Sequence, residues 1–168
     1  YAHAVYLDAV RFALQSGVGS RGSAIVLDDT GADPALLAEA LKLPDEEYVA
    51  DHMEVVDVDG IHAAREFIKQ SLAQALEPRL SQRYSELDDR EPYRKTAVAM
   101  ARRSLKNTCL SYLLLTSDGE ALAVAQLEAS DNMTDYLAAI QGLVWHGSPL
   151  AAAPSKLRTT GPCMYWMR

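Results

Sequence analysis

The sequence predicts an all-α fold, an irregular, α-solenoid-like stack of antiparallel helical hairpins. Three observations predict it. Ala and Leu supply 48 of the 168 residues and aromatic residues only 7%, so strong helix formers dominate and the β-branched and aromatic runs of strands are scarce. Apolar residues recur at spacings of three, four and seven through most of the chain, which is the period of one helix face. Short polar segments rich in Asp, Asn, Pro and Gly separate these stripes, so successive helices should pack as antiparallel neighbours. No tetratricopeptide or HEAT signature recurs at a fixed period, hence an irregular stack.

The elements follow in order. Val5, Ala9, Phe12 and Ala13 make a first helical stripe that Ser16 and Gly17 end. Gly17 to Gly22, with three glycines and one serine, reads as a flexible connection. Ala24 to Leu27 is the one possible strand, too short to separate from a buried turn of extended chain. Asp33-Pro34 opens a helix, since the carboxylate can accept from free amides and Pro fits the first helical position. Its expected buried face is Leu36, Leu37, Ala40 and Leu41, and Leu43-Pro44 ends it. Residues 45 to 52 form a short helical stretch in which Asp45, Glu46 and Glu47 suit the positive end of the dipole.

A connection from Val55 to Gly60 leads, through a cap at Asp57 or Asp59, into a long helix striped by Ile61, Ala64, Ile68, Leu72, Ala75, Leu76, Leu80 and Leu87. Pro78 should kink or divide it. A polar turn at Asp88 to Glu91 precedes Pro92 in a first helical turn and a stripe of Val98, Ala101, Leu105, Thr108, Tyr112 and Leu115. Ser117-Asp118-Gly119 stops that helix, and Leu122, Ala125 and Leu127 mark the next. Asp131-Asn132 caps the last, whose apolar face is Met133, Leu137, Ile140 and Val144, with Asp135 near its positive end.

Composition narrows the function classes. The chain carries 23 acidic and 16 basic side chains, a formal net charge of −7, which disfavours a nucleic-acid-binding domain. The first 60 residues carry net −9 and residues 61–117 net +4. The middle excess lies around Arg90, Arg94, Lys95, Arg102, Arg103 and Lys106, and reads first as a solvated helix side or as pairing with the acidic N-terminal third, the functional alternative being a patch for an acidic ligand or nucleic acid. No apolar run is long enough to span a membrane and no signal peptide is visible, so a soluble, cytoplasmic piece is expected. Tyr1 opens inside an apolar pattern, as a fragment would.

No catalytic, cofactor-binding or metal-ligating residue is expected in this chain. His3, His52, His62 and His146 are far apart and none stands in H-E-x-x-H spacing. Cys109 sits in an apolar stripe and reads as a small core residue. The G-x-G-x-x-G spacing of Gly17 to Gly22 follows a helix rather than a strand and is a chance match.

Three stretches carry a family resemblance. Leu41-Lys42-Leu43-Pro44-Asp45-Glu46 with Ile61-His62-Ala63-Ala64-Arg65, then Arg102-Arg103-Ser104-Leu105-Lys106-Asn107-Thr108-Cys109-Leu110, and then Asn132-Met133-Thr134-Asp135-Tyr136-Leu137-Ala138-Ala139 occur in one order and spacing. Together they resemble the C-terminal helical domain of bacterial aminopeptidase N, the zinc-dependent alanyl aminopeptidases. The resemblance implies that zinc, its ligands and the general-base glutamate lie in a separate domain of the parent polypeptide, so that no catalytic residue carries over. It implies a non-catalytic helical wall that encloses the active-site chamber and limits access to peptides. The implied partners are that catalytic domain and peptide substrates, with no nucleic acid and no membrane. The matched residues themselves have packing and capping chemistry: Leu105, Cys109 and Tyr112 between helices, Asn107 on a neighbouring backbone or loop, Asn132, Thr134 and Asp135 at a helix start. The likeness ends near Trp145, so residues 1–146 are the expected domain and 147–168, with Pro149, Pro154, Gly161 and Pro162, a divergent and irregular tail of truncated or frame-disturbed origin. The alternative is a free-standing helical protein-interaction module. A third, weaker reading is an RNA-binding helical module that uses the basic middle segment.

Overall fold

The computed structural model describes residues 18–88 and 93–149. Seven helices follow one another among them: α1 (Val18–Asp28), α2 (Pro34–Ala40), α3 (Glu46–Ala50), α4 (Val58–Leu87), α5 (Ala97–Leu113), α6 (Gly119–Ala129) and α7 (Met133–Trp145). No strand occurs among the described residues. The stripe of residues 5 to 13, the polar turn after Asp88 with Pro92, and the tail beyond residue 149 lie outside them.

The starts are written locally. Asp33 accepts from the Ala35 amide at 2.7 Å, Asp45 from Tyr48 at 2.7 Å, and Asp57 from Gly60 at 2.9 Å. Asn132 accepts from Asp135 at 3.0 Å. Each side-chain oxygen satisfies one amide that the helix cannot pair internally. The helix expected from Pro92 instead begins at Ala97, because Thr96 supplies the cap, its hydroxyl accepting from Ala99.

Two expectations near the start are overturned. Gly17 to Gly22 is no flexible connection from residue 18 onward, and Ala24 to Leu27 is neither strand nor extended turn: both lie in α1. Leu27 buries against the core and Arg79 of α4 bonds Asp28 at 3.0 Å, so packing on α4 outweighs the low helix propensity of the glycines. Pro78 likewise fails to divide α4, which runs unbroken for 30 residues. Pro78 faces solvent, where water can meet the carbonyl it leaves unpaired, while Leu76 and Leu80 on either side are held in one core.

Helix α5 is the centre. It packs against α4, α2, α7 and α6, while α1 covers α4 and α6 pairs with α7. Leu80, Leu105, Leu110, Leu113, Leu143 and Cys109 are completely enclosed. The turn from α5 into α6 is tight enough to demand glycine: a Cβ on Gly119 would stand 1.9 Å from the Leu113 carbonyl oxygen. Of the expected apolar stripe of α7 only Ile140 packs against the core. Ala139 and Leu143 are buried with Asp135, whereas Met133, Leu137 and Val144 are largely exposed and Trp145 is 85% exposed.

Candidate functional site

The two most distinctive sequence stretches meet in space. Lys106 on α5 donates to Asp135 on α7 at 2.9 Å, and both side chains are only 8% exposed. Asn107 donates to the other Asp135 oxygen at 2.8 Å. Gln126 of α6 donates to the Asn107 side-chain oxygen at 2.8 Å and to the Asp135 carbonyl at 3.0 Å, and accepts from the Tyr84 hydroxyl of α4 at 2.9 Å. Asn132 adds a donor to Asp135 at 3.2 Å, and Asp88 lies 3.4 Å from the Lys106 ammonium. A buried ion pair is thus wrapped in amides that satisfy its remaining sites, the condition under which such a pair is tolerated. Burial pushes the Tyr84 phenol up, with the nearby carboxylates of Asp88 and Asp135 adding to it, so the hydroxyl stays protonated and donating.

This arrangement corrects three readings. The basic excess of the middle segment is not wholly a solvated side, because Lys106 is buried, and its partners Asp88 and Asp135 lie outside the acidic N-terminal third. Asn107 holds a carboxylate and an amide rather than a backbone or loop. Asp135 does more than favour a helix start, since it ties α7 to α5. The available signal was polar residues at Lys106, Asn107 and Asp135 inside otherwise apolar stripes.

In front of this network lies a groove of about 860 Å³. Helix α5 is its floor, through Met100, Ser104, Asn107 and Thr108; α7 forms one wall with Met133, Thr134 and Leu137. Opposite stand Arg65 and Lys69 of α4 and the Lys42–Asp45 loop. Tyr112 closes the floor, with its hydroxyl donating to the Leu41 carbonyl and burial pushing its phenol up to about 12. Arg65 is braced by a 3.0 Å bond from its Nε to the Pro44 carbonyl. Arg103 is braced by the Arg94 carbonyl at 3.2 Å and stacks 4.9 Å from the centre of the Tyr93 ring.

The histidines do not converge. His62 pairs with Glu46 at 2.9 Å and His52 contacts the Tyr48 carbonyl at 2.8 Å. His3 lies outside the described residues. No three His, Cys, Asp or Glu side chains are grouped to hold a metal among the described residues. Cys109 is fully buried, and that burial pushes its thiol up to about 12. Among the described residues no helix is long and apolar enough to cross a membrane.

Residues 14–156 match the family described as "Domain of unknown function (DUF3458_C) ARM repeats". Aminopeptidase N of Escherichia coli is 35% identical over 121 residues, 71% of this chain and 14% of that protein. Aminopeptidase N of Haemophilus influenzae is 34% identical over 115 residues, 68% of this chain and 13% of that protein. The crystal structure of Legionella pneumophila aminopeptidase A, in complex with aspartic acid, superposes with a TM-score of 0.63 at 21% identity, covering 80% of this chain and 18% of that one. The chain therefore spans about one seventh of the length of the aminopeptidase N relatives it matches.

Proposed function

The chain belongs to the DUF3458_C ARM-repeat family, a domain it shares with aminopeptidase N, and from that membership we propose that it is the non-catalytic wall of a zinc aminopeptidase acting on peptides. The observation that carries the reading is the joining of two of the three family stretches in one buried network directly behind a groove of about 860 Å³. Such a network fixes α5 and α7 relative to each other, which is what a chamber wall requires. In the proposed parent, zinc held by another domain supplies Lewis-acid activation of the scissile carbonyl.

This chain's residues contribute shape and exclusion. Met100, Met133 and Leu137 offer an apolar surface to a peptide, and Ser104, Thr108 and Thr134 offer hydroxyls to its backbone. The partners in this reading are the catalytic domain of the same polypeptide and the peptide substrate, in the cytoplasm. The full 168-residue sequence holds no H-E-x-x-H, so the isolated chain with added zinc should not hydrolyse alanyl chromogenic substrates. Robust turnover would refute the reading. Upstream coding sequence provides the second test: an H-E-x-x-H motif in frame supports it, and a start codon directly before Tyr1 favours a free-standing interaction module.

A further inference from the structure

We propose that the groove between α7, α5 and the α4 side is an anionic-peptide subsite that takes carboxylate-bearing segments of peptides. The inference rests on the chamber-wall reading for the origin of the peptide and on charge for its chemistry. Among the described residues, Lys42, Arg65, Lys69 and Arg103 line the groove against the single carboxylate of Asp45. This net positive surface occurs on a chain whose formal charge is −7.

The carboxylate does little to offset the cations. Asp45 caps α3, its oxygen accepting from Tyr48 at 2.7 Å. Arg65 uses Nε for the Pro44 carbonyl, and Arg103 uses one Nη for the Arg94 carbonyl; these bonds orient both guanidinium groups and leave further N–H donors on each. Lys69 is half-buried, and desolvation lowers its pKa with only Glu66, one turn earlier on the same helix, opposing that effect. Lys42 lies outermost and pairs with Glu39. An incoming carboxylate would therefore meet pre-positioned donors at a site where desolvated cations gain from a counter-charge.

The surface favours a peptide over a nucleic acid. Its lining includes methionine, leucine, hydroxyl and amide, and among the described residues its only aromatic member, Tyr112, is buried with its hydroxyl engaged, so these residues offer no platform on which bases could stack. The volume suits a few residues of extended chain rather than a folded partner.

The test is fluorescence anisotropy with the 168-residue chain and labelled hexapeptides alternating leucine with glutamate. Matched probes replace glutamate by glutamine, or amidate the C-terminus. The glutamate peptide should bind at least about tenfold tighter than the glutamine peptide, and weaken as salt rises from about 0.05 to about 0.5 M. The amidated probe separates side-chain carboxylates from the terminal one. Lys69→Gln with Arg103→Gln should abolish the preference, whereas Arg79→Gln, which lies outside the groove and pairs with Asp28, should keep it. Circular dichroism of both variants should match the parent chain. Equal affinity for the glutamate and glutamine peptides, a preference that survives the double variant, or tighter binding of a single-stranded oligonucleotide would each overturn the proposal. An aminopeptidase-active parent whose domain shows no carboxylate preference would sink this inference alone. A carboxylate preference in a parent without aminopeptidase activity would sink the chamber-wall reading alone.

Discussion

Replacing Lys106 by methionine isolates the energetics of the central network. The substitution keeps most of the aliphatic stem and deletes the ammonium, leaving Asp135 buried without the cation 2.9 Å away. Breaking a buried pair from one side costs about 3–5 kcal/mol. Donors from Asn107 and Asn132 remain on the carboxylate, which puts the expected loss near the lower end, about 3 kcal/mol. Against a total stability on the order of 5–15 kcal/mol that is a large fraction. Urea titration of the 168-residue chain followed by circular dichroism should move the midpoint down by roughly 1–3 M. Asp135→Asn should cost less, because the buried Lys106 ammonium keeps a counter-charge in Asp88, 3.4 Å away, and Asp88 at 43% exposed gives up little of its own hydration. The double variant Lys106→Met/Asp135→Asn should be more stable than Lys106→Met, since no lone charge is then buried. A Lys106→Met loss below about 1 kcal/mol, or a double variant that is the least stable of the three, would refute this account of the network.

Other outcomes follow from the same packing. Gly119→Ala should destabilise by about 3 kcal/mol or more, because the new methyl would meet the Leu113 carbonyl at 1.9 Å and backbone cannot swing aside; a Gly22→Ala control, with nothing within 4 Å, should be neutral or stabilising by urea titration. Leu105→Ala should cost about 2–5 kcal/mol, since Leu105 is completely enclosed at the centre of α5, and thermal unfolding reads this directly. In a Cys163→Ser background, Cys109 should resist thiol reagents at about pH 8 until urea unfolds the chain, because burial holds its thiol near 12. The His62 imidazole is raised chiefly by its hydrogen bond to Glu46 and then by that carboxylate's charge. Its contribution to α3–α4 docking is therefore complete below the ordinary imidazole pKa and is lost as pH climbs through the raised one. Glu46→Gln should return the His62 midpoint towards the ordinary value in a proton NMR titration.

Much of the fold was legible because its signals are short-range. A capping carboxylate acts on an amide two or three residues away, and the starts at Pro34, Glu46, Val58 and Met133 all follow from Asp33, Asp45, Asp57 and Asn132. Buried faces were less legible. Period alone marked Leu36, Ala75 and Ala125 as inward, whereas Ala38, Ala73 and Ala123 occupy the core instead. In a helix so rich in alanine several neighbouring stripes are nearly equally apolar, and only the partner helix chooses between them. The resemblance to aminopeptidase N rests on residues 41–46 with 61–65, 102–110 and 132–139, yet nothing local states that Asn107 and Asp135 touch across 28 positions.

By itself, then, the amino-acid order determined the helical class, most helix starts and the absence of an H-E-x-x-H motif, since propensity, caps and motif spacing act within a turn or two. Tertiary packing decided that Pro78 would be carried inside one continuous α4 and that the glycines after Gly17 would be drawn into α1. It also decided that Lys106 would turn inward to Asp135 while Arg65, Lys69 and Arg103 gathered around one groove. The physical reason is that burial and charge pairing depend on which helices meet, and those energies exceed the few tenths of a kcal/mol, ~0.2–0.7 for ordinary residues, by which local preferences differ.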